Sequence, residues 1–181
     1  MLRLAWKQLK REDRRLVTNK EKVPVPIKEE YIQAMTSQKL RSHMLAHMDD
    51  YQYRASVDKH VWVDGQLVAA IERKAYAENA MMKRILVDFY LLRTVYPDLK
   101  CFLFQMESQL GGDYSELPLH PMGSRPTHTL MSYFGDVDLT VFTLLRGERN
   151  IERPIHKTGF FKPLTREIVQ RGVDLLAGAL S

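Results

Sequence analysis

Asp58, Glu72 and Lys74 are the residues whose types and spacing could do chemistry together. Residues 57–63 and 67–71 are two β-rich runs separated by Asp64, Gly65 and Gln66, and an Asp-Gly pair is a strong short-range signal for a hairpin. The two runs should pair antiparallel. With the turn centred between Asp64 and Gly65, paired residue numbers sum to about 129, which sets Asp58 opposite Ile71 and beside Glu72. Side chains alternate along a strand, so Glu72 and Lys74 share a face. Two carboxylates and an ammonium group at the open end of a hairpin suit magnesium, a hard octahedral ion that takes one or two carboxylates plus substrate phosphate. Such an ion polarises the phosphate and lowers the pKa of a bound water, while the ammonium can orient that water and offset charge on the phosphorane. The chemistry implied is phosphodiester hydrolysis.

The elements that must position these residues follow from periodicity. Residues 77–96 shift to helical spacing, with Met82, Ile85, Leu86, Phe89 and Leu92 on one face, and Pro97 stops them. Residues 100–106 are short, apolar and aromatic, and read as a buried strand. A strand, a helix and a strand make a crossover unit, so the second hairpin strand and the strand from Lys100 should be parallel. Gln105 and Glu107 then emerge at the same end of the sheet, the end that binding sites prefer in open α/β sheets. Glu107 is a candidate further metal-shell carboxylate, and Gln105 and His60 are placed to support the ligands. Elsewhere, residues 2–16 show helical spacing, 23–27 read as an extended connector, and 29–50 as a helical region broken near Thr36 and Ser37. Residues 108–129 carry scattered Gly and Pro and read as a long loop, 137–145 as a strand, and Thr165 as the cap of a final helix. The fold class is α/β in the mixed α+β sense, a mixed central β-sheet flanked by helices.

Asp58, thirteen intervening residues, then Ile71-Glu72-Arg73-Lys74 on a hairpin strand followed by a helix and a strand resembles the PD-(D/E)xK nuclease superfamily, with its restriction-endonuclease-like core. Within it the chain is most similar to a type II restriction endonuclease. The resemblance covers about residues 40–107, and Val57 stands where the pattern's name has proline. It implies that Asp58 and Glu72 bind magnesium with help from the Arg73 backbone carbonyl, and that Lys74 assists the attacking water. It further implies a sequence-specific endonuclease acting on double-stranded DNA as a homodimer, since a two-fold protein matches a palindromic site. Two other tasks fit the same scaffold: a structure-specific repair or recombination nuclease, and an inactive nucleic-acid-binding protein. The Asp98-Leu-Lys100 triplet repeats the acid-x-Lys spacing, but it sits at a helix-to-strand turn without a partner acid.

Composition agrees with this expectation. The 181 residues, 45% hydrophobic and 27% charged, fit a single nuclease domain over 1–181, with a basic N-terminal helix and connector in 1–27, the catalytic core in 40–107 and a candidate recognition loop in 108–129. The net charge of +5 is unevenly divided. Residues 1–30 hold nine Lys or Arg against five acids, and residues 146–171 hold seven against three, so two basic flanks enclose a mildly acidic middle. Ser124, Arg125, Thr127 and His128 offer donors for base edges, and Arg146, Arg149, Arg153 and Lys157 for phosphates. The lone Cys101 excludes an internal disulfide and a cysteine zinc site and fits a reducing compartment. With no apolar run long enough to span a bilayer and no signal-peptide core, the expected address is cytoplasmic, without a membrane partner. His43 and His47 are four apart in the helical region 29–50, a spacing that can bind zinc, but ordinary surface or core histidines explain them better.

Overall fold

Asp64 and Gly65 both adopt left-handed backbone, at φ 51° and 83°, as a two-residue hairpin turn of this hand requires. The turn joins β4 (Lys59–Val63) to β5 (Gln66–Ala77), antiparallel as expected. In the computed structural model, which describes residues 1–115 and 123–181, three further strands complete a mixed sheet. β1 (Leu16–Asn19) pairs antiparallel with β4, while β6 (Lys100–Ser108) and β7 (Leu139–Thr143) continue from β5 in parallel, giving the order β1-β4-β5-β6-β7. A separate two-stranded ribbon pairs β2 (Val23–Pro26) with β3 (Gln52–Ala55).

The hairpin register differs from the expected one. The ladder shifts between Val61 and Trp62, where Val61 faces Ala69 but Trp62 faces Leu67. One extra β5 residue is accommodated there as a bulge. Below it Lys59 faces Ile71, so Asp58 comes level with Glu72 rather than with Ile71. Asp58 itself lies on a bend just before β4 begins. Residues 72–77 of β5 therefore run past the start of β4, with β6 beside them on the other side.

Helices cover both faces. α4 (Asn79–Val95) buries Met82, Ile85, Leu86, Phe89 and Leu92, the expected stripe, against Ala70 and Leu103 of the sheet and Val25 of the ribbon. The opposite face, with Ile71, Phe102, Phe104 and Phe142, packs under α1 (Leu2–Gln8) and α6 (Arg166–Leu180). Thr165 caps α6 as expected, its side chain accepting from the Ile168 N–H. The Met1 side chain lies over Gly172, where a Cβ would stand 2.6 Å from its sulfur. The helical region 29–50 divides into α2 (Glu29–Gln33) and α3 (Gln38–Ala46), broken where expected.

Three segments depart from the sequence reading. The N-terminal helix stops at Gln8, and the chain turns into β1, tied by the Arg15 N–H donating to Asp64 Oδ1 at 2.8 Å. The connector at 23–27 is largely a strand, because Val23 and Val25 bury against the α4 core while the prolines between and after them face out. The long loop ends in α5 (Arg125–Ser132), which starts with Ser124 as its cap and a proline in the first turn. Residues 116–122 of the candidate recognition loop lie outside the described residues. Phe89 is wholly buried at the centre of the α4 interface, so Phe89→Ala should lower stability by about 3–5 kcal/mol in urea unfolding; a loss below about 1 kcal/mol would show that α4 does not anchor the sheet.

Candidate active site

β4 stops at Lys59, but its hydrogen-bond ladder to β5 is continued by side chains. The Asp58 N–H donates to Glu72 Oε2 at 3.1 Å, and the Arg73 N–H donates to Asp58 Oδ2 at 2.9 Å. Each acid thus satisfies a backbone donor of the other segment, and the two carboxylates are held side by side where the strand pair opens. Hydrogen bonds to an ionised acceptor are the stronger kind, which favours this arrangement over two carboxylates left to water. In an extended strand the N–H and C=O of one residue point to the same lateral side. The Arg73 carbonyl accordingly points toward the same opening as its N–H.

Cations surround the pair. Lys74 Nζ is in direct ionic contact with Glu72 Oε1, as their shared strand face requires. Arg73 Nε lies 4.0 Å from Asp58 Oδ2, and Lys20 Nζ lies 3.9 Å from Asp58 Oδ1. Asp58, Lys59, Arg73 and Lys74 line a cleft of about 1120 Å³ whose other wall is built by Arg3, Trp6 and Thr18. Trp6 therefore packs against the α6 layer and borders this cleft.

Gln105 stands in register with Lys74 on the neighbouring strand, fully buried, with its Nε2 donating to Thr143 Oγ1 at 3.1 Å. Glu107 is not brought to Asp58 and Glu72. It is in register with Tyr76, four residues or about 13 Å along the sheet from the level of Glu72, and pairs with Lys162 at 2.6 Å. Among the described residues no three His, Cys, Asp or Glu side chains converge as a metal site, so the carboxylate pair stands without a third acid and His43 and His47 stand without a set. His60 is fully buried, and burial holds its imidazole below the usual histidine range against a smaller upward pull from Glu21. It is a buried residue of β4, facing Ala70 of β5 in the ladder.

The expected DNA contacts divide into two groups. Thr127 is buried with its hydroxyl oxygen 2.8 Å from both Asn79 Oδ1 and the Leu110 carbonyl, which share its single proton, while Ser124 caps α5. Arg149 lies over the Tyr76 ring at 3.5 Å and donates to Gln109 Oε1 at 3.0 Å. These three side chains hold the fold together. Arg125 and His128 are exposed on α5, and Arg146, Arg153 and Lys157 are exposed in the irregular segment before α6.

Two residues escaped the sequence reading. Asp88 of α4 lies on the inward stripe, three residues after Ile85 and four before Leu92. Burial pushes its carboxyl up, Arg84 opposes the rise, the nearby Glu72 charge adds to it, and Lys74 opposes it, so Asp88 lies within electrostatic reach of Glu72 and Lys74. An acid on a buried helical stripe was the available signal. Lys20 carried none, because its approach to Asp58 depends on the pairing of β1 with β4.

No family model matches the chain. It is 49% identical over 182 residues to the type II restriction enzyme DdeI of Desulfomicrobium norvegicum (strain DSM 1741 / NCIMB 8310), an alignment that takes in the whole of this chain and 76% of that protein. The chain belongs to the type II restriction enzymes. Membership makes it a restriction endonuclease, a hydrolase, and the similarity extends over both ends that the Asp58 to Lys74 pattern left uncovered. The mixed five-stranded sheet with helices on both faces is consistent with the restriction-endonuclease-like fold expected from that pattern. Among the described residues no helix is long and apolar enough to cross a membrane.

Since Glu107 is paired with Lys162, Glu107→Ala should act on stability. Removing one partner of a fully buried ion pair costs about 3–5 kcal/mol, and Lys162, about a quarter exposed, reduces that to about 2 kcal/mol. Urea unfolding of Glu107→Ala should show this loss, with divalent-cation affinity measured by calorimetry unchanged. Lost cation affinity at undiminished stability would return Glu107 to the metal shell.

Proposed function

We propose that this chain is a magnesium-dependent endonuclease that cuts double-stranded DNA at a specific sequence, with Asp58, Glu72 and Lys74 as its catalytic residues. The observation that carries this reading is the pair of crossed hydrogen bonds at the opening between β4 and β5, Asp58 N–H to the Glu72 carboxylate and Arg73 N–H to the Asp58 carboxylate, with Lys74 against Glu72. The donor set fits a hard divalent ion. It offers carboxylate oxygens from two side chains and a carbonyl from Arg73, all oxygen, and Asp58 and Arg73 border an open cleft with room for water and phosphate. When bound, magnesium supplies Lewis-acid polarisation of the scissile phosphate and lowers the pKa of a coordinated water.

The chain's own residues supply the rest. Asp58 and Glu72 would hold the ion, and the Arg73 carbonyl would complete the protein's share. The Lys74 ammonium, held in place by Glu72, donates to the attacking water and offsets the negative charge that builds around phosphorus. Water adds to phosphorus and one ester P–O bond breaks, leaving one end with a phosphate monoester and the other with a hydroxyl. Arg146, Arg153 and Lys157 serve as phosphate contacts that set register, and Arg125 and His128 on α5 reach for base edges. A homodimer supports this reading best, because a duplex with a palindromic site presents two strands to two equivalent centres. The whole chain acts as one nuclease domain.

Glu72→Ala and Lys74→Ala should each lower magnesium-dependent cleavage of plasmid DNA by at least about 100-fold, the scale on which one charge-stabilising group counts. Gel-shift binding of the same DNA should stay measurable. Undiminished cleavage by both purified, folded variants would overturn the assignment.

A further inference from the structure

Lys20 comes from a different part of the chain than the other groups at the site. β1 ends at Asn19, which faces His60, so the residue after it stands at the level of Lys59, at the mouth where Asp58 turns toward β5. Its Nζ lies 3.9 Å from Asp58 Oδ1, longer than a hydrogen bond, and its side chain is 59% exposed. So loose and exposed an ion pair adds little to stability, and the fold gives Lys20 no other duty visible in these contacts.

Its position does suggest one. Lys74 and Arg73 extend from β5, on one side of Asp58, whereas Lys20 reaches Asp58 from the β1 side. Asp58 lines a cleft bordered also by Thr18, Lys59, Arg73 and Lys74, and a phosphodiester seated there against Asp58 would lie near this ammonium, 3.9 Å from the same carboxylate. Lysine carries three donors on a flexible stem and binds phosphate as a point charge. We propose that Lys20 binds the scissile phosphate from the side opposite Lys74, contacting a non-bridging oxygen and stabilising the charge that gathers there as water attacks. This rests on the reading of Asp58 and Glu72 as the cleavage site. It makes the N-terminal strand part of the active site, which the Asp58 to Lys74 pattern does not include.

The full chain carrying Lys20→Ala or Lys20→Arg tests this with two readouts. The first is metal-free binding of a duplex oligonucleotide by fluorescence anisotropy across a salt series. Loss of one phosphate contact should flatten the slope of log affinity against log salt by about 0.9 in Lys20→Ala, and Lys20→Arg should keep the wild-type slope. The second is the single-turnover cleavage rate at saturating protein with magnesium, expected to fall about 10- to 100-fold in Lys20→Ala and to be largely restored in Lys20→Arg. Thermal unfolding of both variants should match wild type. A wild-type slope and rate in Lys20→Ala would overturn the proposal. So would a wild-type slope accompanied by tighter divalent-cation binding, because Lys20 would then only shield Asp58. If wild-type protein cuts no DNA, the cleavage reading fails by itself, and the metal-free slope still decides whether Lys20 holds phosphate.

Discussion

Where β5 runs past the start of β4, its backbone donors lose a strand partner, and a half-buried N–H without an acceptor costs about 1–3 kcal/mol. The chain resolves this with acids. Arg73 N–H finds the Asp58 carboxylate, and Asp58 N–H finds the Glu72 carboxylate. The same two bonds that finish the ladder fix the separation and facing of the carboxylates, so the site's geometry is inherited from the sheet and not from flexible loops. The bulge at Val61 and Trp62 matters for this reason: it sets the register that brings Asp58 level with Glu72.

Concentrating two acids at one opening would be unfavourable without compensation, and three cations supply it. Lys74 neutralises Glu72 directly, while Lys20 and Arg73 flank Asp58 from two sides. The arrangement suits a centre that must accept a divalent cation and a phosphodiester together, since the cations that balance the carboxylates also face the incoming anion. Farther along the sheet the balance is structural. Glu107 with Lys162, and Arg149 over Tyr76, pin the basic segment before α6 to the far ends of β5 and β6. Those contacts tie the segment that carries Arg146, Arg153 and Lys157 to β6 and to β5, the strand that carries Glu72 and Lys74.

The parts legible in the sequence were those governed by local physics. The Asp64-Gly65 turn, the apolar stripe of α4 and the stop at Pro97 all act over a few residues, and together they give the crossover that places Gln105 beside Lys74. The three short strands outside the hairpin were not legible, because β1, β2 and β3 have four residues each and owe their existence to distant partners. Thr127 and Arg149 looked like exposed DNA contacts because burial of a hydroxyl or stacking of a guanidinium is decided by tertiary packing. Ser124 and Pro126 did carry a helix-start signal, but it lay within a run of Gly and Pro that reads as loop. Family membership rests on the similarity along the whole chain, which the three residues of the motif could suggest but not establish.

In the function proposed, a divalent ion held by Asp58 and Glu72 enables the chain to cut DNA at a defined sequence. Digestion of a long mixed-sequence DNA with and without magnesium, followed by mapping of the ends, tests it most directly. Discrete fragments whose ends share one short sequence should form, and only when magnesium is present. Fragments of equal yield in chelator, or ends that follow branches and termini with no shared sequence, would contradict it.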